Sequence, residues 1–289
     1  MPGAAEMGVF RQFLQRHLGR QKSRYLGRFW LLAVFFFLYA PLFFLILFSF
    51  NSTRQDAIFT GFSLRWYLAL MDDSKLVEGF FLSLKVALLT GTLSVILGGF
   101  AAFVLVRYTR FRARPLFSGM VKAPMVMPEV ILGLSLLLLM VSVQRAVGWP
   151  ERGFVTIVLG HALLGMAYAT VVIQSRLSEM DRSIEEAAMD LGARPLQVFF
   201  LVTLPNMSQA VMSAWLLTFT LSFDDVVISE FLSGPGVTTL PQVIFSYARR
   251  GVNPSIYAAA TLLIAVITLA VVVYSVYVAR QSRRTRQVR

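Results

Sequence analysis

Apolar residues fall along this chain in six long runs, residues 29–50, 80–106, 117–143, 154–173, 207–231 and 255–279. A bilayer core about 30 Å thick is crossed by about 20 apolar helical residues. Each run therefore predicts a transmembrane helix. Pro, Gly and charged residues punctuate most of the gaps between them. One gap has a pattern of its own, "SIEEAAMDLGARPLQVFFLVTLP" from Ser183 to Pro205. It is too polar for lipid and too regular for a slack loop.

Ser183 and Glu186 have capping-box spacing, which predicts a helix beginning at Ile184 with Ser183 as its cap. Glu185 and Glu186 then lie in the first turn, where the helix dipole favours anions. Met180, Ile184, Ala187, Ala188 and Leu191 recur at helical spacing and form one apolar face. Gly192 suits the left-handed residue that ends a helix, and Pro195 suits the first turn of the next. Pro205 marks the approach to the fifth span. The first helix would be about 12 Å long, too short to span and well sized to dock. Helices that lie on lipid headgroups carry Lys and Arg on their polar face. This one carries Glu185, Glu186 and Asp190, which favours a protein partner.

Composition agrees with the spans. Of 289 residues, 57% are hydrophobic, more than a soluble domain needs. Lys and Arg number 27 against 15 Asp and Glu, for a net charge of +12. The basic residues cluster beside spans, in residues 11–28, 107–114, 176–194 and 280–289. That is a topology signal and not a nucleic-acid footprint: positive loops stay inside. Both termini and the loop at 174–206 are expected in the cytoplasm. Residues 1–28 read as a basic tail with an elbow helix resting on membrane lipid, 29–50 as the first transmembrane helix and 51–79 as a periplasmic loop. Residues 80–279 read as a core of five helices, and 280–289 as a second basic tail. The first apolar run is too long for a signal-peptide core and is expected to remain as an anchor. The loop at 51–79, with Trp66 and Tyr67, is expected to face outside, where a binding protein could dock.

Several chemistries are excluded. The chain has no cysteine, so disulfides, Cys-based zinc sites and thiol catalysis are absent. None of its lysines, Lys22, Lys75, Lys85 and Lys122, follows a glycine, so it has no P-loop. No H-E-x-x-H motif or nucleophile–base pair appears, and no enzymatic activity is expected.

Ionisable residues inside spans are costly and tend to face a cavity or a partner. Glu129 follows Pro124 and Pro128, which disturb helical hydrogen bonds. It lies about 18 Å in from one end of its span, near the midplane, where broken helices of transporters hold solutes. The alternative is a kinked helix with Glu129 paired to Lys122. In the fifth span Thr218, Ser222, Asp225 and Ser229 form one polar stripe, the pattern of a cavity-lining face. Asp224 points about 100° away and is expected to pair with a neighbouring subunit or with Lys85. Asp225 is thus the favoured path residue. Glu230 is expected to be solvated, and His161, mid-span, to hydrogen bond between helices. A path lined by carboxylates favours a cationic solute.

Glu186-Ala187-Ala188, Gly192 and Leu204-Pro205 resemble the EAA motif of ABC-importer permeases, E-A-A-x3-G-x9-I-x-L-P, with Val202 where Ile is usual. In that family the loop is a coupling helix that docks into a cleft on a cytoplasmic ATPase. The segments "LYAPLFFLILFSFNST", "PMVMPEVILGLSLLLL" and "SFDDVVISEFLSGPGVTTLPQVIFSYARRGVNPSIYAAATL" further resemble permeases of putrescine/spermidine importers, most of all the putrescine-type second permease. The resemblance implies an all-α integral membrane protein with six transmembrane helices, the type I ABC importer permease fold and both termini cytoplasmic, in a bacterial inner membrane. It implies as partners two copies of an ATPase, a second homologous permease and a periplasmic polyamine-binding protein. ATP and Mg2+ would bind that ATPase, and this chain would hold no cofactor or metal. Coupling would fall to Glu185, Glu186, Ala187, Ala188, Asp190, Gly192 and Pro205. The substrate path would use Glu129, Asp225, Asp224 and Ser222. The same architecture serves other cargoes, iron(III) or thiamine among them. A stand-alone ion-coupled carrier would leave the motif without a role.

Overall fold

The computed structural model describes residues 27–53, 58–108, 110–249 and 255–265, with single positions at 268, 269, 272 and 276. Among these the regular structure is helical apart from one isolated antiparallel bridge, Asn51 to Phe62. The basic tails expected at 1–28 and 280–289 lie outside the described residues, save for residues 27 and 28. So does most of the sixth span beyond Ala265.

The chain divides into two units, residues 1–70 with 252–289 and residues 71–251. In the first unit, α1 spans Gly27–Ser49, and none of its most apolar stretch is buried. An apolar helix so bare suits lipid or another chain as its surroundings. The turn after it is built on Asn51. Its Oδ1 accepts from Thr60 N and Thr60 Oγ1, and its Nδ2 donates to Ile58 O. α2 (Arg65–Asp72) begins here, and Trp66 donates from Nε1 to Asn51 O at 2.7 Å while buried. Tyr67 hydroxyl bonds Ser49 Oγ. Trp66 is therefore a bolt for the loop. α13 (Ser255–Ala265) is the described start of the last apolar run.

The second unit is a helical bundle around α3 (Ser74–Arg107), α6 (Phe154–Glu179) and α10 (Ser208–Phe223). Asp73 caps α3 by accepting from Lys75 N and Leu76 N. At 34 residues α3 is about 51 Å long and extends beyond a 30 Å bilayer core. α3 packs along α6, and α10 lies against both. The approach is close because the facing residues are small. A Cβ placed on Gly98 would lie 2.7 Å from Ala169 Cβ and 2.9 Å from Met166 O. One apolar cluster joins Val86, Leu136, Ile157, Ile228 and Leu232, and a second joins Ala102, Ile173, Leu177, Met207 and Ala214.

Two expected spans are broken. The third divides into α4 (Arg114–Val126) and α5 (Glu129–Val147). Pro128, which has no N–H, stands at the start of α5, and its residue before, Met127, is extended, as a residue preceding proline prefers. The fifth is not one helix over 207–231. It bends by 71° at Met207 and stops at Phe223. It resumes as α11 (Val227–Leu232). A strand-free segment then leads to α12 (Leu240–Arg249), anchored by Leu240 N donating to Ser83 Oγ on α3. Four helices, α1, α3, α5 and α6, are long and apolar enough to cross a membrane, and the bent fifth span adds one more among the described residues.

Candidate functional site

The first candidate region is the polar loop. α7 covers Ser183–Asp190 and begins one residue earlier than the motif predicts. The capping box does not form. Asp181 Oδ1 instead accepts from Ser183 N at 3.0 Å, and Arg182 O accepts from Glu185 N and Glu186 N. That backbone N–H of Ser183 holds the Asp181 carboxyl below its ordinary value. The residue at the N-cap is Arg182, which caps with no side-chain hydrogen bond, and Asp181 closes a local turn just before the helix.

The end of α7 follows the expectation. Gly192 has φ +89°, a conformation that costs other residues about 1–2 kcal/mol. Gly192 N donates to Met189 O and Ala193 N to Ala188 O. α8 (Pro195–Val198) starts at once, with Gln197 Oε1 accepting from Arg194 N. A π turn, Phe199–Thr203, then runs into α9 (Leu204–Asn206), which holds Pro205.

α7 has no buried residue. Ile184, Ala187 and Leu191 are exposed, Leu191 at 90%. Glu186 and Asp190 are exposed beside them. The result is a short apolar ridge edged with acid, open on the surface of the chain. Glu185 does not share it. Its Oε1 accepts from Arg107 Nη2 and from Thr203 Oγ1, each at 2.8 Å. Of the two glutamates expected to serve coupling, Glu185 is held within the chain and Glu186 is exposed. Sequence spacing alone could not separate them, because the separation depends on where Arg107 ends α3.

The second region is the set of intramembrane acids. Glu129 is exposed at the first turn of α5, directly after the break. Among the described residues it forms no ion pair with Lys122, nor does Asp224 with Lys85. Asp224 is exposed at the end of α10. Asp225 turns the other way, into the protein. Its Oδ2 lies 3.0 Å from His161 Nε2 and accepts from Ser229 N at 2.8 Å, and its Oδ1 accepts from Ile228 N at 3.4 Å. His161 Nδ1 lies 2.7 Å from Ser222 Oγ, and its Nε2 is 3.2 Å from Ser229 Oγ. A carboxylate accepts only, so Nε2 donates to Asp225, while the Ser222 hydroxyl can either donate to or accept from Nδ1.

The expected cavity-lining stripe is thus a packing seam in this conformation. Thr218, Ser222 and Ser229 are buried. The space left beside His161 and Asp225 is about 10 Å³, enough for about one water and far too small for an organic solute. Asp225 and Ser222 do not line an open cavity here, and Asp224 faces outward, where a neighbouring subunit was expected to meet it. Asp225 also supports the break: from just before α11 its carboxylate accepts the Ile228 and Ser229 N–H groups of the first turn, which otherwise have no helical partner. His161 hydrogen bonds between helices as its mid-span position suggested. Its place as the hub, with three partners, was missed; the signal was a lone imidazole in a chain whose fifth span carries a matching polar stripe. Glu230 is not merely solvated, since its Oε2 accepts from Gln242 Nε2 at 3.0 Å.

A third feature is an open cleft of about 840 Å³ between α3, the segment before α12 and α12 itself. Lys75, Lys85, Glu78 and Tyr247 are among its lining residues, and Tyr247 hydroxyl donates to Asp73. Two lysines against one glutamate make this cleft a poor host for a polycation.

Residues 94–287 match the family described as binding-protein-dependent transport system inner membrane component. The chain is 54% identical over 235 residues to the putrescine transport system permease protein PotI of Escherichia coli K12, covering 81% of this chain and 84% of that protein. It is 39% identical over 249 residues to the spermidine/putrescine transport system permease protein PotC of Haemophilus influenzae, covering 86% and 94%. Among solved structures, a bacterial ABC transporter that imports the acidic polysaccharide alginate superposes with a TM-score of 0.70 at 14% identity, covering 93% of this chain and 98% of that one. The MetNI methionine ABC transporter gives 0.56 at 18% identity, covering 71% and 94%. The two structures share the fold with this chain, while the matched residues and the near relatives carry the closer kinship: the chain belongs to the family of inner-membrane components of binding-protein-dependent transport systems.

Proposed function

We propose that this chain is a permease subunit of an ATP-driven importer for polyamines, putrescine first and spermidine second. The observation that carries the reading is the 54% identity over 235 residues with a putrescine transport permease. The chain crosses the inner membrane six times with both termini in the cytoplasm. Its partners are two copies of a cytoplasmic ATPase, a second homologous permease and a periplasmic polyamine-binding protein. ATP and Mg2+ belong to the ATPase, and this chain binds no cofactor.

The mechanism follows from the two regions. The ridge of Ile184, Ala187, Ala188 and Leu191, flanked by Glu186 and Asp190, seats in a cleft of the ATPase. Gly192 gives the turn that presents it, and Pro205 begins the bend into the fifth span. ATPase closure then moves α7 and, through it, the spans. Along the solute path Glu129 and Asp224 are the exposed carboxylates, each at a helix break. A diamine with two positive charges gains from each of them, while anions are turned away. Asp225 and Ser222 enter the path only if the seam with His161 opens during the cycle.

The test is uptake by the reconstituted four-component transporter. Labelled putrescine and spermidine should enter only with ATP and the binding protein present. Iron(III) and thiamine should not compete. Uptake without nucleotide, or equal competition by thiamine, would overturn the reading.

A further inference from the structure

We propose that Glu185 is a positioning residue that fastens the coupling helix to two membrane spans, instead of a contact for the ATPase. The proposal rests on the coupling role given to α7 above and deepens it by assigning adjacent glutamates to different work. Glu185 Oε1 takes two donors at once, Arg107 Nη2 and Thr203 Oγ1. Arg107 is the last residue of α3, and Thr203 is the last residue of the π turn that feeds the fifth span. The side chains of Arg107 and Glu185 are only 8% and 12% accessible. A second tie runs beside the first, Arg182 Nη2 donating to Arg107 O at 3.3 Å. The rings of Phe103 and Phe199 meet edge-on at 5.4 Å, holding the π turn against α3.

Glu186, about 100° further round the helix, is exposed and looks away from this joint. One glutamate thus faces the fold and its neighbour faces outward. Removing Glu185 would leave the Arg107 guanidinium, whose Nε already has no partner, largely buried and uncompensated. A helix held at three points to α3 and to the π turn cannot swivel when pushed. α3 in turn packs along α6. Force on the exposed ridge is therefore delivered to the bundle as displacement and is not lost as rotation of α7.

The experiment uses the complete transporter in proteoliposomes and reads two quantities, the ATPase retained on purification and the uptake per ATP hydrolysed. Glu185→Ala should retain the ATPase at the unaltered ratio while uptake per ATP falls about fivefold or more, the size of an ordinary coupling effect. The exchange of charges, Arg107→Glu with Glu185→Arg, should recover part of that loss, whereas either change alone should not. Should Glu185→Ala fail to insert, Glu185→Gln, which keeps an acceptor for Thr203, serves with the same readings. Loss of the ATPase from a properly inserted Glu185 variant would make this residue a motor contact and overturn the proposal. Unchanged uptake per ATP, or no recovery in the exchange, would overturn it too. Glu186→Lys separates this from the underlying reading: it should release the ATPase, and if it does not, the coupling role of α7 fails whatever Glu185 does.

Discussion

His161 Nε2 on α6 lies 3.0 Å from Asp225 Oδ2, at the point where the fifth span breaks. The contact joins a helix interior to a helix interruption. Asp225 receives the imidazole proton and the N–H groups of Ile228 and Ser229 together, so the break and the helix beyond it depend on one carboxylate. Truncating His161 takes one of three donors from that carboxylate, and a hydrogen bond to a charged group is worth about 1.5–3 kcal/mol. His161→Ala should therefore lower the thermal unfolding midpoint of the purified permease clearly. His161→Gln, which keeps a donor, should lower it less. A midpoint unmoved by His161→Ala would mean the pair contributes no stability.

The two aspartates should respond differently. Asp224 is exposed and Asp225 is engaged. Asp224→Asn removes a charge from an open face and leaves the seam alone. It should reduce polyamine uptake per inserted complex by about tenfold, the effect of losing one interaction of roughly 1.4 kcal/mol, with yield unchanged. Asp225→Asn should act first on yield and stability. Uptake of labelled putrescine, normalised to complex recovered, checks both, and an uptake defect confined to Asp225→Asn would restore Asp225 as the path residue.

The division between these residues marks where sequence reading stops. Period and composition were enough for the spans at 80–106 and 154–173, because α3 and α6 are uninterrupted apolar helices with no competing signal. The turn at Gly192 was legible because only a left-handed residue ends a helix that sharply. The fifth span was not, because apolar content continues through Asp224-Asp225 while the backbone does not: the interruption is stabilised by His161, 64 positions away in sequence. Helical spacing put Asp225 on a polar stripe correctly, but a stripe facing a histidine and a stripe facing water look alike until the neighbour is in place. The same holds for Glu185 and Glu186, which differ by Arg107 and Thr203. Ser183 lost the cap because the helix begins one residue earlier than the motif predicts, which makes Ser183 the first helical residue and Arg182 the N-cap.

Gly192 offers a sharper test of the loop. Its φ of +89° is closed to proline, whose ring fixes φ near −65°. Gly192→Pro should leave insertion intact and abolish ATP-driven uptake, since the turn that presents α7 is lost. Gly192→Asn should retain more uptake, because asparagine tolerates the left-handed region better than other residues with a side chain. Membrane-fraction blots and uptake assays on the same preparations check the pair. Full uptake by Gly192→Pro would show that the turn is dispensable.

A close approach of α3 to the backbone of α6 gives the last expectation. Gly98 meets Ala169 and the Met166 carbonyl, and a Cβ there would fall within 3.0 Å of both. One of these neighbours is backbone, so rotamer changes cannot relieve the clash, and α3 and α6 must separate. Overpacking of this kind costs about 1–3 kcal/mol. Gly98→Ala should lower the unfolding midpoint of the purified permease, and Gly98→Val should lower it further. Because α3 also carries Arg107 to its joint with Glu185, a shift of α3 along α6 disturbs that joint. Gly98→Ala is then expected to reduce uptake per ATP as well as stability. Trimming the facing side chain with Ala169→Gly should recover part of both, and a double variant no better than Gly98→Ala alone would place the crowding elsewhere.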